Sequence, residues 1–130
     1  MMDELRRCIL VVEDEPLLAM DVEMVLGNAG FRVVGPAGTC ARAIDLLRDE
    51  PPDLTILDLN LGTELAFSVF DHLDEAGIPF IILSAHSRQM VPARYQDRPF
   101  LQKPYRIPAL LRMIDEVLQD ARVPSRHAAS

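Results

Sequence analysis

Five residues in this 130-residue chain have the chemistry to form a site, and each stands at the end of a short apolar run. The run in LVVEDEP leads into Glu13 and Asp14, LTILD ends on Asp58, FIILS on Ser84 and FLQK on Lys103. Burying a carboxylate at a strand end is costly unless something pairs with it. Adjacent carboxylates repel one another, and a hard divalent cation relieves that repulsion. Mg²⁺ takes oxygen ligands and keeps several waters. Asp14 and Asp58 can supply two ligands, and a backbone carbonyl just after Asp58, at Asn60, a third. An ionised Asp is also a nucleophile toward phosphorus, giving an aspartyl phosphate. The charge on a transferring phosphoryl group calls for a metal and a cationic clamp. Lys103 can be that clamp, and the Ser84 hydroxyl can donate to a phosphoryl oxygen.

Taken singly, each residue has an ordinary structural explanation: an exposed turn, a small strand-end residue, a solvated loop lysine. Glu15, before Pro16, reads as a helix-start residue at a favourable dipole end. The combination becomes informative once the elements that hold it are laid out. Short apolar runs occur at 8–12 (CILVV), 31–35 (FRVVG), 54–57 (LTIL), 80–83 (FIIL) and 100–102 (FLQ). Continuous rather than alternating runs suit parallel strands covered on both faces; FRVVG carries Arg32 and suits an edge. Helical stripes separate the runs. The first is Leu18, Val22, Val25, Leu26 and Ala29, stopped by Gly27 and Gly30. Cys40, Ala43, Ile44 and Leu47 follow with Thr39 as N-cap, then Ala66, Val69, Phe70 and Leu73, ending at Gly77. Leu110, Ile114, Val117, Leu118 and Ala121 form the last, with Pro108 in its first turn. The link from His86 to Pro99 contains Pro92 and Pro99 and predicts a short or irregular element. The sum is an α/β fold: an open parallel sheet with helices on both faces. In such sheets ligands bind beyond the carboxyl ends of the strands, where the strand order reverses. All five residues are delivered to that edge.

Composition narrows the class. An apolar content of 49 % with 25 % charged residues fits a soluble globular domain. A net charge of −7 without any basic block argues against nucleic acid as a partner. Cys8 and Cys40 are too few for a disulfide framework and imply a reducing, cytoplasmic setting. No apolar stretch approaches the ~20 residues that span a bilayer, so no membrane role is expected. The expected organisation is an N-terminal lead over 1–7, one domain over 8–122 and a flexible tail over 123–130.

The motifs VVEDEP, LDLNLG, LSA and QKP, at these intervals, resemble those of the receiver domain of two-component response regulators, over nearly the whole chain. The resemblance implies a flavodoxin-like five-stranded sheet of order 2-1-3-4-5. It implies that Asp58 is the phosphoacceptor, that Glu13 and Asp14 form the acidic pair for Mg²⁺, and that Ser84 and Lys103 are the switch hydroxyl and the phosphate-binding lysine. Phe100 falls where the family places its aromatic rotamer switch, without the hydroxyl of the common Tyr. The implied donors are histidine kinases or histidine phosphotransfer proteins, with a protein target bound after phosphorylation. The chain is then a phosphoacceptor that assists its own phosphoryl transfer and dephosphorylation rather than an enzyme, and a single-domain regulator in a phosphorelay. The stretch VPARYQDRPFLQKPY is similar to the FAT GUY subgroup of receivers, whose fourth helix is remodelled, although FATG itself is absent and the chain reads FIILSAH.

Three other readings compete with this one. A metal-dependent phosphohydrolase with an Asp nucleophile needs an acid two residues on, and Asn60 cannot serve. Flavodoxin-like cofactor binding lacks a phosphate-cradling glycine loop after the first strand. A receiver-like interaction module that is never phosphorylated is the alternative that fits the residues next best, though intact Asp14, Asp58 and Lys103 favour phosphorylation.

Overall fold

The computed structural model describes residues 6–122. The expected tail, 123–130, and the first five residues of the lead lie outside them. Five parallel strands form one sheet: β1 (Cys8–Val12), β2 (Arg32–Ala37), β3 (Leu54–Asp58), β6 (Phe80–Ser84) and β7 (Phe100–Gln102), in the order β2-β1-β3-β6-β7. This is the expected flavodoxin-like order, with β2 at an edge as its Arg32 suggests. Between β3 and β6 lies a separate two-stranded antiparallel ribbon, β4 (Asn60–Leu61) and β5 (Glu64–Leu65), which the apolar pattern did not reveal.

Every residue of β1, β3 and β6 is buried, which explains their unbroken apolar runs. Alternate side chains serve opposite faces. Leu10, Val12, Leu57 and Ile82 pack under α2 (Cys40–Asp49) and α3 (Phe67–Ala76), whose Ala43, Leu47, Phe70 and Leu73 complete that half of the core. Ile9, Val11, Leu54, Ile56 and Ile81 pack under α1 (Pro16–Asn28) and α4 (Ile107–Arg122), through Val22, Leu26, Leu110, Ile114 and Leu118.

Local signals explain the helix ends. The Thr39 hydroxyl accepts from the Arg42 N–H at 3.1 Å, as an N-cap should. Gly77 terminates α3 in the left-handed conformation, φ 72°. On α1 Val22 and Leu26 are buried as expected, joined by Ala19, whereas Leu18 and Ala29 are exposed and Val25 is half-buried. Ala19 faces the sheet, and Leu18 is exposed, as are Leu17, Met20 and Met24.

No helix replaces the link between β6 and β7. Two 3₁₀ turns, Arg88–Met90 and Ala93–Tyr95, stand there, as the prolines predict. Val91 and Tyr95 are nevertheless buried in the α2–α3 half of the core. The Tyr95 ring meets Phe70 edge-on at 5.3 Å and Phe80 at 6.0 Å.

Candidate functional site

The chain leaves β1, crosses to β2, and returns past β1 to β3, so the strand order reverses between β1 and β3. Both neighbours end in acids. Glu13 continues the β1–β2 pairing by donating its N–H to the Ala37 carbonyl at 2.8 Å, and its side chain stays buried. Asp14 and Glu15 then turn outward and are exposed. Glu15 is the N-cap residue of α1, with no side-chain cap bond. Asp58 closes β3 and is only 6 % exposed. Among the described residues, the buried polar or charged side chains are Glu13, Thr55, Asp58 and Ser84. Three of these four stand at strand ends on one edge, where a carboxylate is tolerated only with partners.

Lys103 supplies them. Its N–H donates to the Ser84 carbonyl at 2.7 Å, which extends the β6–β7 ladder by one residue and aims the side chain across the sheet edge. The ammonium contacts Asp58 Oδ2 in a charge-assisted hydrogen bond and lies 3.2 Å from Glu13 Oε1. The other carboxylate oxygens take backbone donors: Asp58 Oδ1 accepts from the Asn60 N–H at 2.9 Å, and Glu13 Oε2 from the Glu15 N–H at 3.3 Å. Burial, and then the neighbouring Asp58 charge, push the Glu13 carboxyl up despite the opposing Glu15 N–H and Lys103. Burial alone would lower Lys103, but the hydrogen bond and charge of Asp58, and then Glu13, more than reverse that and raise it. Lys103 is therefore charged at neutral pH.

A cavity of about 380 Å³ opens above this pair, lined by Asp14, Asp58, Asn60, Gly62, His86 and Lys103 among others. Asp14, Asp58, Asn60 and Lys103 thus share one space. Glu13 joins them through Lys103, from a neighbouring depression. Among the described residues, no three His, Cys, Asp or Glu side chains gather as a ready metal cage. The donors here fit a hydrated ion instead: two carboxylates, one of them exposed, and a backbone carbonyl, with room for water. Such a set suits Mg²⁺, which rarely sheds its whole water shell.

Ser84 and Phe100 are not in this cavity. The buried Ser84 hydroxyl accepts from the His86 N–H at 2.9 Å, capping its own turn. Phe100 is half-buried against the α2–α3 core, with the Arg88 guanidinium 5.1 Å above its ring. His86 at the rim and Gly62 opposite Asp14 are cavity residues that strand-end reasoning alone does not select. Beside the cavity lies an apolar depression of about 510 Å³, lined by Leu18, Val22, Pro104, Tyr105 and Ile107 among others.

The family model for the response regulator receiver domain matches residues 9–115. The transcriptional regulatory protein PdtaR of Mycobacterium tuberculosis is 30 % identical over 84 % of this chain and 55 % of its own length. The phyllosphere-induced regulator PhyR of Methylorubrum extorquens is 30 % identical over 93 % of this chain and 48 % of its own. The chain thus spans about half the length of these curated relatives. The solution structure of SdrG from Sphingomonas melonis superposes with a TM-score of 0.76 at 37 % identity, covering 87 % of this chain and 97 % of that one. No helix among the described residues is long and apolar enough to cross a membrane. The motif residues at the strand ends, the sheet order and these matches agree, and the chain belongs to the response regulator receiver domain family.

Proposed function

We propose that this chain is a cytoplasmic phosphorelay switch that accepts a phosphoryl group on Asp58 from a histidine kinase or histidine phosphotransfer protein, with Mg²⁺. The observation that carries the proposal is Asp58 itself: a buried carboxylate at the switch in strand order, oriented by Asn60 and Lys103, facing an open cavity. An Asp58 oxygen attacks phosphorus. The new O–P bond forms as the P–N bond to the donor imidazole breaks, and the leaving nitrogen takes a proton from solvent. Asp14, Asp58 and the Asn60 carbonyl would hold Mg²⁺, whose charge would offset that of the phosphoryl oxygens. Glu13 keeps Lys103 at the site, where its ammonium passes from the carboxylate to a phosphoryl oxygen. The Ser84 hydroxyl then leaves the His86 N–H to donate toward the phosphoryl group, and Phe100 fills the space it vacates. A protein donor rather than a small molecule suits the exposed Leu17, Leu18, Met20 and Met24 of α1, the helix that borders the cavity through Leu18. In this role the chain turns over nothing but its own phosphoryl group.

Incubation with acetyl phosphate and Mg²⁺, followed by intact mass and peptide mapping, tests the proposal. One phosphoryl mass is expected on the wild type, mapped to Asp58, and none on Asp58→Asn. Asp14→Ala is expected to lose both Mg²⁺ binding and phosphorylation. A wild type that stays unlabelled would point to the phosphorylation-independent interaction module instead.

A further inference from the structure

The two-stranded ribbon after Asp58 is too small to hold itself, since even a longer isolated hairpin is marginal in water. Its strands have two residues each, joined through Gly62 and Thr63. Yet it carries the Asn60 carbonyl. The Ala66 N–H donates to the Leu59 carbonyl at 3.0 Å, so the next pair inward, Asn60 with Leu65, is the non-hydrogen-bonded kind. Asn60 accordingly directs its backbone groups away from Leu65. Its N–H goes to Asp58 Oδ1, and in an extended residue the carbonyl projects to the same side. The pose of this one ligand therefore depends on what fixes the ribbon from outside.

Leu61 seats it in the core, and two polar contacts fix it further, both reaching the start of α2. The Glu64 carboxylate accepts from the Cys40 N–H at 3.1 Å, and the Cys40 thiol donates to the Leu65 carbonyl at 3.4 Å. Cys40 N–H is one of the donors that a helix start leaves without an intrahelical partner, and a carboxylate is favoured there. On the ribbon's other side, Gly62 sits at φ +67°, where a side chain would meet Asp14 Oδ2 at 3.2 Å. The ribbon is thus pinned to α2 by Glu64 while its tip lies against the second carboxylate of the site. We infer that Glu64 is a positioning residue: by stapling the β4–β5 ribbon to α2 it holds the Asn60 carbonyl and the Asp58 carboxylate in register with Asp14. This role rests on the Mg²⁺ and phosphoryl reading above.

The test is a Mg²⁺ titration of the full chain followed by NMR at the amides of Asn60 and Gly62, with acetyl phosphate labelling in parallel. Glu64→Ala should weaken Mg²⁺ binding and slow labelling by about tenfold, the low end for losing a residue that orients a metal ligand. Glu64→Gln keeps an acceptor for the Cys40 N–H and should restore values close to wild type. Glu64→Asp, too short to reach, should behave like the alanine variant. Thermal melting identifies a variant that fails to fold, and the glutamine–aspartate contrast then decides the matter alone. Glu64→Ala titrating like the wild type, or Glu64→Gln failing as badly as Glu64→Ala, would overturn the positioning role. A wild type that takes neither Mg²⁺ nor phosphoryl would overturn the functional reading itself.

Discussion

Two of the crossings between neighbouring strands serve the same face of the sheet by different means. The chain passes from β3 to β6 through α3, a ten-residue helix that buries Val69, Phe70 and Leu73. It passes from β6 to β7 through residues 85–99, with only two 3₁₀ turns. The helix satisfies its own backbone and needs the core only for its apolar stripe. The second crossing has few such bonds and is fastened by side chains. Tyr95 packs edge-on against the stacked Phe70–Phe80 pair and its hydroxyl donates to Asp71. Arg94 reaches Asp71 at 2.7 Å and Arg98 reaches Asp74 at 2.8 Å, both on α3. Arg88 donates to the carbonyls of Gln96 at 2.6 Å and Arg98 at 2.8 Å, and the Gln96 amide to that of Val91 at 2.8 Å. A crossing without ladder bonds can thus be ordered by a few anchors, and it becomes sensitive to each of them.

That contrast predicts a graded series. Phe70 supports both crossings, stacking on Phe80 at 5.3 Å as well as meeting Tyr95. Phe70→Ala should destabilise the whole domain by about 3–5 kcal/mol, seen as a lower urea midpoint at unchanged slope. A loss confined to residues 85–99 would show that the crossings are separate. Tyr95→Ala should act more locally. Amide exchange between residues 88 and 98 should accelerate by roughly a hundredfold, the factor implied by about 3 kcal/mol of lost packing. β1 and β3 should stay protected, and equal acceleration in those strands would refute the idea of a locally anchored crossing.

A smaller effect is expected from acid. The Tyr95 hydroxyl first, and Arg94 second, hold the Asp71 carboxyl below its ordinary value. A lowered folded-state value means that ionised Asp71 favours the folded state above the unfolded value, and that this contribution is lost as pH falls through the lowered one. Exchange in residues 88–98 should therefore rise before that of the strands on acidification, and Tyr95→Phe should lessen that lead. If Tyr95→Phe leaves it unchanged, Asp71 is not the acid-sensitive anchor. The smallest change should come from Ser84→Ala in the unphosphorylated chain, about 1 kcal/mol for one hydrogen bond. Its larger effect should come after phosphorylation: the variant should accept the phosphoryl group yet lose most of the exchange response in residues 86–99. A full response would show that coupling does not run through this hydroxyl.

The strand ends were readable because a polar residue closing a buried run is conspicuous in a linear pattern. Asp58, Ser84 and Lys103 stand out for that reason, and Glu13 with Asp14 beside them. What each would touch was less readable. Lys103 pairs with Glu13 as well as Asp58, and that follows only once β7 is the neighbour of β6. Tyr95 lies in a polar, proline-bearing stretch with no periodicity, and its burial depends on the stacked Phe70–Phe80 pair that it packs against. The α1 stripe was read correctly at Val22 and Leu26 but not at its start, where the small Ala19 rather than Leu18 is buried. The β4–β5 ribbon left no trace in the pattern, since two residues per strand are too few to show alternation.

The Lys103 pairing has a consequence for how the domain is made. Its two partners lie 45 and 90 residues away along the chain. Closing the longer of two such loops costs only about 0.6 kcal/mol more than the shorter, so distance along the chain barely weakens the finished pair. Distance does delay it, because non-local contacts form only after much of the chain's entropy has been surrendered. The counter-charge reaches the acidic pocket only with β7 paired to β6, since Lys103 directly follows that strand. A chain whose final strand is detached from the sheet keeps both carboxylates but lacks the ammonium that orients Asp58.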